Sequence, residues 1–472
     1  MPLLIKTVKI ILALLLAYAL YLLICSTLAY LPDKTVSDAN QELLNEVDFY
    51  GDPDSSGPDR VARIETPAEA LASRIAIIRA ATDSIDLVCH AFDYGESTKA
   101  IIQELLDAAD RGVQVRIVTD GKLGVKGEKM RQLFAAALEH PLISCRSYNR
   151  LDLLRPWTWH TVLHDKFINV DNTYLVLGGR NIGDRFFAPA NYSGPVTNDR
   201  DVLVWRTAEE GESVFPQINS YMDSLWNHTE CSQLQLKPPE EGYRQQLRAD
   251  VNSFERDNQD IYSLTLDHFL NATYPTAKIT FINNPTNASK KEPWVAYQLQ
   301  KLALEAKDQV TVQTPYATAN SYLLETMEEV ADDAKLVMLT NSVASSPNFP
   351  AFSNYFSQRR QFVSTGAKIY EYQSYDSIHG KSLVIDNRIS AVGSLNLDDR
   401  SFYIDTENML IIDSPEFAAR LNAAMDDYID HSALVGADNH YLDPDQALEP
   451  STGKTLLMYI ISIFSRMVQY LI

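Results

Sequence analysis

HDKFINVD, residues 164–171, and HGKSLVID, residues 379–386, share one skeleton: a histidine, a lysine two positions on, and an aspartate closing the stretch. A pattern HxKxxxxD present twice is what a phosphodiester site built from two histidines leaves in a sequence. Each copy is followed by a small-residue turn and an asparagine, GGRN at Gly178–Asn181 and GSLN at Gly393–Asn396, and then by an acid, Asp201 or Glu407. A repeat several features deep reads as a duplicated structural unit.

The residue types suit one chemistry. A phosphodiester repels nucleophiles with its negative charge, and its leaving alkoxide needs a proton. One imidazole attacks phosphorus and forms a phosphohistidine, while the other protonates the departing oxygen and then deprotonates the incoming alcohol. Lys166 and Lys381 lie two residues from their histidines on extended segments, so ammonium and imidazole point to the same side and can hold non-bridging oxygens. No metal is then required, and no cofactor is expected. Asn181, Ser394 and Asn396 are candidate donors to the same oxygens, and Asp201 and Glu407 are candidates for orienting the imidazoles. His164, Lys166, Asp171, His379, Lys381 and Asp386 form the candidate catalytic set. The residues alone do not say which histidine is the nucleophile.

With LVLGGRNIGDRFF at 175–187 and AVGSLNLDDRSF at 391–402 beside the two motifs, the sequence resembles the phospholipase D superfamily, and within it the bacterial cardiolipin synthase-like branch. The resemblance covers residues 66 to 435. It implies His164 as the nucleophile and His379 as general acid and base, with a more structural part for Asp171 and Asp386.

The flanks predict a duplicated α/β unit. SIDLVCHAF (Ser84–Phe92) reads as a strand, TKAIIQELLDAADRG as an amphipathic helix and VQVRIVTDG (Val113–Gly121) as a second strand. The order returns in DQVTVQTPY (Asp308–Tyr316), SYLLETMEEVADD and AKLVMLTNS (Ala334–Ser342). Strands alternating with helices predict mainly parallel sheets in two α-β-α sandwich halves that share one cleft at a pseudo-twofold interface. Neither half is expected to work alone, since each supplies one imidazole.

At 472 residues, 46% hydrophobic and 22% charged, the chain is long enough to bury two ordinary cores. The predicted organisation is a cytoplasmic N-terminus at 1–9, a transmembrane helix at 10–31, a linker at 32–65, a first half at 66–235, a connection at 236–290, a second half at 291–435 and a tail at 436–472. The connection is rich in Asn, Gln, Asp and Pro and reads as irregular, with one short helix near Tyr262–Leu270. Asp33–Pro67, with Gly51, Pro53, Gly57 and Pro58, has the composition of a tether.

Ile10–Leu31 is an uncharged run of 22 residues, long enough to cross a bilayer as a helix. Lys6 and Lys9 precede it and Asp33, Asp38 and Glu42 follow, which predicts a single-pass protein of the bacterial membrane with its catalytic part outside the cytoplasm. A cleaved signal peptide is the rival, with small-residue sites at Ala17-Tyr18-Ala19 and Thr27-Leu28-Ala29, although such an apolar core normally runs only about 7 to 15 residues. Cys25 follows the bulky Ile24, which counts against lipidation. At the other end Thr455–Ile472 is almost wholly apolar, and either an interfacial helix or a helix packed on the catalytic halves accounts for it. Trp157 and Trp159, beside Arg155 and His160, read either as a lipid-facing lip or as packing anchors.

Cys25, Cys89, Cys145 and Cys231 have no CxxC spacing, so neither a zinc site nor a dense disulfide framework is predicted; a Cys145–Cys231 pair stays open for an exported domain. Sequons begin at Asn191, Asn227, Asn271 and Asn287 and would matter only in a eukaryotic secretory setting.

A net charge of −21, from 41 basic and 62 acidic residues, argues against a nucleic-acid partner, which is normally gripped by a basic surface. Arg146, Arg150, Arg155, Lys166, Arg180 and Arg185 nevertheless concentrate positive charge around the first motif. That suits a small phosphodiester headgroup presented by a membrane. The expected activity is phosphatidyl transfer making cardiolipin, with phosphatidylglycerol and also phosphatidylethanolamine as candidate substrates. Hydrolysis of a phospholipid or another phosphodiester, nuclease action included, uses the same residues, and a membrane-tethered binding protein on an inactive fold is the non-enzyme reading.

Overall fold

The computed structural model describes residues 2–31 and 33–471; Met1, Pro32 and Ile472, at the ends of the predicted N-terminal, linker and tail segments, lie outside the described residues. The chain builds two sheets in succession. The first holds β1 (Asp59–Ile64), β2 (Ser84–Cys89), β3 (Gln114–Asp120), β4 (Ile143–Tyr148), β5 (Lys166–Val170), β6 (Tyr174–Gly178), β8 (Asp201–Arg206), β9 (Cys231–Gln233) and β10 (Tyr274–Pro275), in the order β10-β1-β8-β6-β5-β2-β3-β4-β9. The second holds β11 (Lys278–Asn283), β12 (Gln309–Gln313), β13 (Lys335–Asn341), β14 (Lys368–Tyr372), β16 (Ser382–Ile385), β17 (Ile389–Gly393), β18 (Asn408–Asp413) and β19 (Ser432–Leu434), in the order β11-β18-β17-β16-β12-β13-β14-β19. Read outward from β5 and β16, the two orders coincide, and β10 is the one addition. A small third sheet pairs β7 (Thr197–Asn198) with β15 (Ser377–Ile378).

The sheets are mixed rather than mainly parallel. Within the two large sheets, among the described residues, only β2–β3, β3–β4, β12–β13 and β13–β14 run parallel. Those pairs are joined by helical crossovers: Glu96–Asp110 and Gly127–Leu138 in the first half, Ser321–Asp333 and Phe349–Ser364 in the second. β5–β6 and β16–β17 are antiparallel because each motif ends in an Asp-Asn turn. Asp171 and Asn172 have φ of 51° and 52°, Asp386 and Asn387 of 49° and 50°, the left-handed region that Asp and Asn tolerate best after glycine.

The halves share a core. Val88, Phe167, Leu177 and Val204 of the first sheet and Val384, Val392, Leu410 and Ile412 of the second belong to one buried cluster, with helices Phe215–Trp226 and Pro415–Ile429 packed into it. Strands buried on both faces explain why SIDLVC and NMLIID read as apolar runs instead of alternating. Separate clusters fill the outer faces under the crossover helices.

Three segments differ from expectation. Residues 236–290 hold the helix Tyr243–Asp257, whose polar surface hides a narrow stripe of Leu247, Val251 and Phe254, and they give β10 to one sheet and β11 to the other. The expected tether contains helix Asp38–Asn45 and, in β1, an internal strand. The N-terminal helix begins at Pro2 and ends at Leu28; Leu4–Leu28 has mean hydropathy 2.5, is unburied, and is long and apolar enough to cross a membrane. The C-terminal helix Thr452–Ser465 packs on Phe349–Ser364 through Met458, Ser462 and Ser465 and exposes its other face. All four cysteines are free thiols; Cys231 lies opposite Tyr148, so Cys145 and Cys231 are out of register on neighbouring strands.

Candidate active site

Each motif histidine sits just before an inner strand, β5 or β16, and backbone bonds to the opposite half fix its place. β7 and β15 pair in parallel, Thr197 with Ser377 and Asn198 with Ile378, and the His379 N–H donates to the Asn198 carbonyl at 2.6 Å. On the other side Leu163 bridges Thr406, the His164 N–H donates to Thr406 Oγ1 at 3.0 Å, and the Thr406 N–H donates to the Val162 carbonyl. These two crossings deliver each half's acid to the other half's imidazole. Nδ1 of His164 lies 2.8 Å from Glu407 Oε1, and Nδ1 of His379 lies 2.5 Å from Asp199 Oδ2.

The acid beside His379 is therefore Asp199, and the expectation for Asp201 is corrected. Asp201 Oδ2 accepts from Arg74 and Arg180, each at 3.0 Å, in a buried ion pair beneath the turn. Strand register is the reason. Gly178 pairs with Asp201 as Gly393 pairs with Met409, and the N–H groups of Gly179 and Ser394 bond to the carbonyls of Arg200 and Asn408. Asp199 is thus the counterpart of Glu407, and a Cβ on Gly179 would collide with its carboxylate. Ser394 occupies the equivalent place and donates its hydroxyl to Glu407 Oε2.

Asp171 and Asp386 do not enter the site. Asp171 accepts the N–H groups of Thr82, Asp83 and Ser84 at 2.7 to 2.9 Å, and Asp386 those of Lys307, Asp308 and Gln309 at 2.8 to 2.9 Å. Each caps the entry to its neighbouring strand, β2 or β12. Asn181 and Asn396 hold equivalent positions after the turns; neither Oδ1 has a partner among the described residues, and Asn396 Nδ2 donates to Ser401.

Burial sets the electrostatics. Lys166 and Lys381 are 2% and 1% exposed, and their ammonium groups donate to the carbonyls of His164 and His379. Desolvation lowers both, Lys381 to about 7. Desolvation and the neighbouring lysines hold His164 well below the ordinary histidine range and bring His379 to about 4. The two acids diverge. Burial pushes Glu407 up to about 7, whereas for Asp199 burial is overcome by Lys381 and His379, which hold it well below the usual carboxylate range. An ionised Asp199 takes the Nδ1–H of His379, so Lys381 Nζ, 2.7 Å from the same nitrogen, acts as a nearby charge. Nε2 of His164 has no hydrogen-bond partner among the described residues, whereas Nε2 of His379 faces Lys381 Nζ at 3.1 Å.

Several neighbours were not foreseen. His90, at the end of β2, lies against the Leu163 carbonyl through Nδ1 at 2.6 Å and edge-on to His164, ring centroids 5.1 Å apart. Phe186 stands edge-on to His379 at 5.8 Å. Asp165, the residue inside the first motif, is buried under Tyr221, Thr406 and Asn408 and ties the halves together. Arg400 bonds the His160 carbonyl and Asp405. The sequence carried all of these residues, but no spacing rule marks them.

Two buried histidine–lysine pairs, each imidazole held by an acid of the opposite half, form a site suited to a phosphodiester. The chain matches the family model described as "Cardiolipin synthase, PLD-like domain" over residues 75–226 and 299–429, and it belongs to the phospholipase D superfamily as a cardiolipin synthase-like phosphatidyltransferase. It is 22% identical over 399 residues to cardiolipin synthase C of Escherichia coli K12, covering 75% of this chain and 81% of that one. To a cardiolipin synthase of Staphylococcus aureus Mu50 it is 24% identical over 444 residues, 89% of this chain and 78% of the relative. The crystal structure of phosphatidylserine synthase from Haemophilus influenzae Rd KW20 superposes with a TM-score of 0.63 at 14% identity, over 92% of this chain and 99% of that one, which shows the same fold.

Proposed function

We propose that the protein makes cardiolipin by phosphatidyl transfer through a phosphohistidine on His164. The observation that carries this reading is the crossed pairing of His164 with Glu407 and of His379 with Asp199. Nε2 of His164 attacks phosphorus of phosphatidylglycerol, the bond to the glycerol oxygen breaks, and Nε2–H of His379 gives that oxygen its proton. A second phosphatidylglycerol then enters, His379 takes the proton of its terminal hydroxyl, and the alkoxide displaces His164 to give cardiolipin. The net change is two phosphatidylglycerols to one cardiolipin and one glycerol; a phosphatidylethanolamine donor would release ethanolamine instead.

The unequal acids support this division of labour. Burial and Lys381 leave His379 neutral in the free site, and an ionised Asp199 together with the phosphate charge arriving beside it favours the protonated form that an acid–base group needs. Glu407, raised by burial, pulls less on His164 and leaves it a neutral nucleophile. Lys166, Lys381, Asn181, Asn396 and Ser394 serve the non-bridging oxygens, directly or through Glu407.

Purified protein in detergent, incubated with labelled phosphatidylglycerol with and without phosphatidylethanolamine, tests the proposal beside a His164→Ala control. Cardiolipin formed only with intact His164 is the expected result; phosphatidic acid alone would reassign the protein to hydrolysis. The N-terminal helix is proposed to span the cytoplasmic membrane with both halves outside. A cysteine placed at exposed Asp438 should then react with an impermeant maleimide in intact cells, and protection would reverse the orientation.

A further inference from the structure

The loop that leads into the first motif packs against the N-terminal helix. Leu151, Leu153 and Leu154 are 60%, 55% and 72% exposed, yet three successive carbonyls in this loop each receive a side-chain hydrogen bond. Trp159 Nε1 donates to the Asp152 carbonyl at 2.6 Å, Tyr18 Oη to that of Leu153 at 2.8 Å, and Tyr21 Oη to that of Leu154 at 2.7 Å. Irregular backbone at membrane depth is tolerated where protein covers it, and here Trp159 and the N-terminal helix cover these carbonyls. The two tyrosines belong to the N-terminal helix, about 10 to 15 Å from its C-terminal end at 1.5 Å per residue, which lies inside the roughly 15 Å hydrocarbon depth of one leaflet.

A third apolar surface reaches the same end of the cleft. Arg400 donates to the His160 carbonyl at the base of the loop and, through Nη1, to the Leu471 carbonyl at 3.1 Å in the tail. The tail helix turns Leu456, Ile463 and Phe464 outward, and Met467 follows in the next turn, each at least 60% exposed. Arg400 thus ties the base of the loop, four residues before His164, to the end of the tail.

We infer that the 151–157 loop inserts into the leaflet beside the N-terminal helix, so that the active-site mouth faces a phospholipid bilayer and takes its lipids without their leaving it. The occupant is the bilayer that the helix itself enters, because the hydroxyls of Tyr18 and Tyr21 fix loop and helix at one level. The inference deepens the proposed function and rests on its reading of the helix as membrane-spanning.

The full chain is reconstituted in phosphatidylglycerol vesicles with and without brominated acyl chains, and Trp157 emission is taken as the difference between wild type and Trp157→Phe. Bromine should quench that difference severalfold, and an unquenched Trp157 would overturn the inference. Leu153→Asp/Leu154→Asp should lower turnover at least tenfold on vesicles and leave turnover of monomeric short-chain phosphatidylglycerol unchanged; equal vesicle activity would also overturn it. If the variant fails on both substrates it has misfolded, and the quenching decides. Quenching needs no turnover, so a protein that inserts its loop but makes no cardiolipin would sink the transferase reading alone.

Discussion

Nδ1 of His379 lies 2.5 Å from Oδ2 of Asp199, an acid supplied by the opposite half of the molecule. His164 and Glu407 repeat the relationship in the reverse direction. Neither half therefore contains an oriented imidazole by itself, which is a stronger dependence than the sharing of two separate histidines.

Asp199→Asn should leave the fold intact and lower kcat by about 10² to 10⁴, since the amide favours the wrong tautomer of His379. Asp201→Asn should do the opposite. It removes the charge that neutralises buried Arg74 and Arg180 and should cost about 3 to 5 kcal/mol in denaturant titrations. An Asp201 variant that is stable and inactive would return that residue to the site.

His164→Ala and His379→Ala should each abolish turnover, but only one should abolish labelling. Protein denatured in detergent at mildly alkaline pH after incubation with ³²P-labelled phosphatidylglycerol should carry label in wild type and none in His164→Ala, because the phosphorus–nitrogen bond survives there and is lost in acid. Lys166→Ala and Lys381→Ala should retain the intermediate while losing about 10² to 10³ in kcat. Label that survives in His164→Ala and vanishes in His379→Ala would exchange the two roles.

Asp171→Ala and Asp386→Ala should act on stability. Each leaves three backbone N–H groups without their carboxylate, at a cost of about 1 to 3 kcal/mol, with kcat in the remaining folded protein close to wild type. A loss of kcat without loss of stability would place them in the chemistry.

Glu407 gives stability a sign that can be checked. Its folded value of about 7 exceeds the ordinary carboxyl value of 4.5, so the folded state binds the extra proton. The associated stabilisation is complete below pH 4.5 and is lost as pH rises to about 7, on the order of 3 kcal/mol. His379, lowered to about 4, works oppositely: its contribution is present above the ordinary histidine value of 6.5 and is lost as pH falls toward 4. Wild type should therefore lose stability relative to Glu407→Gln between pH 4.5 and 7, read from unfolding midpoints in detergent. Parallel curves would show that Glu407 does not titrate in this range.

The sequence by itself determined the duplication and the family. HxKxxxxD written twice marked both histidines and both lysines, because residues two apart on an extended segment point to the same side. The strand–helix–strand order followed from local periodicity, and the apolar N-terminal run from composition. Tertiary structure decided the remainder. Asp199 and Asp201 have identical side chains two positions apart, and only the register of β6 against β8 sends one to His379 and the other to Arg74 and Arg180. The helix Tyr243–Asp257 owes its burial to a neighbouring helix and not to its own polar composition. The same holds for the loop at 151–157, whose carbonyls are satisfied by tyrosines more than 130 residues away. Local spacing encodes what neighbours along the chain must do; pairing across the chain depends on register and packing, which no short pattern records.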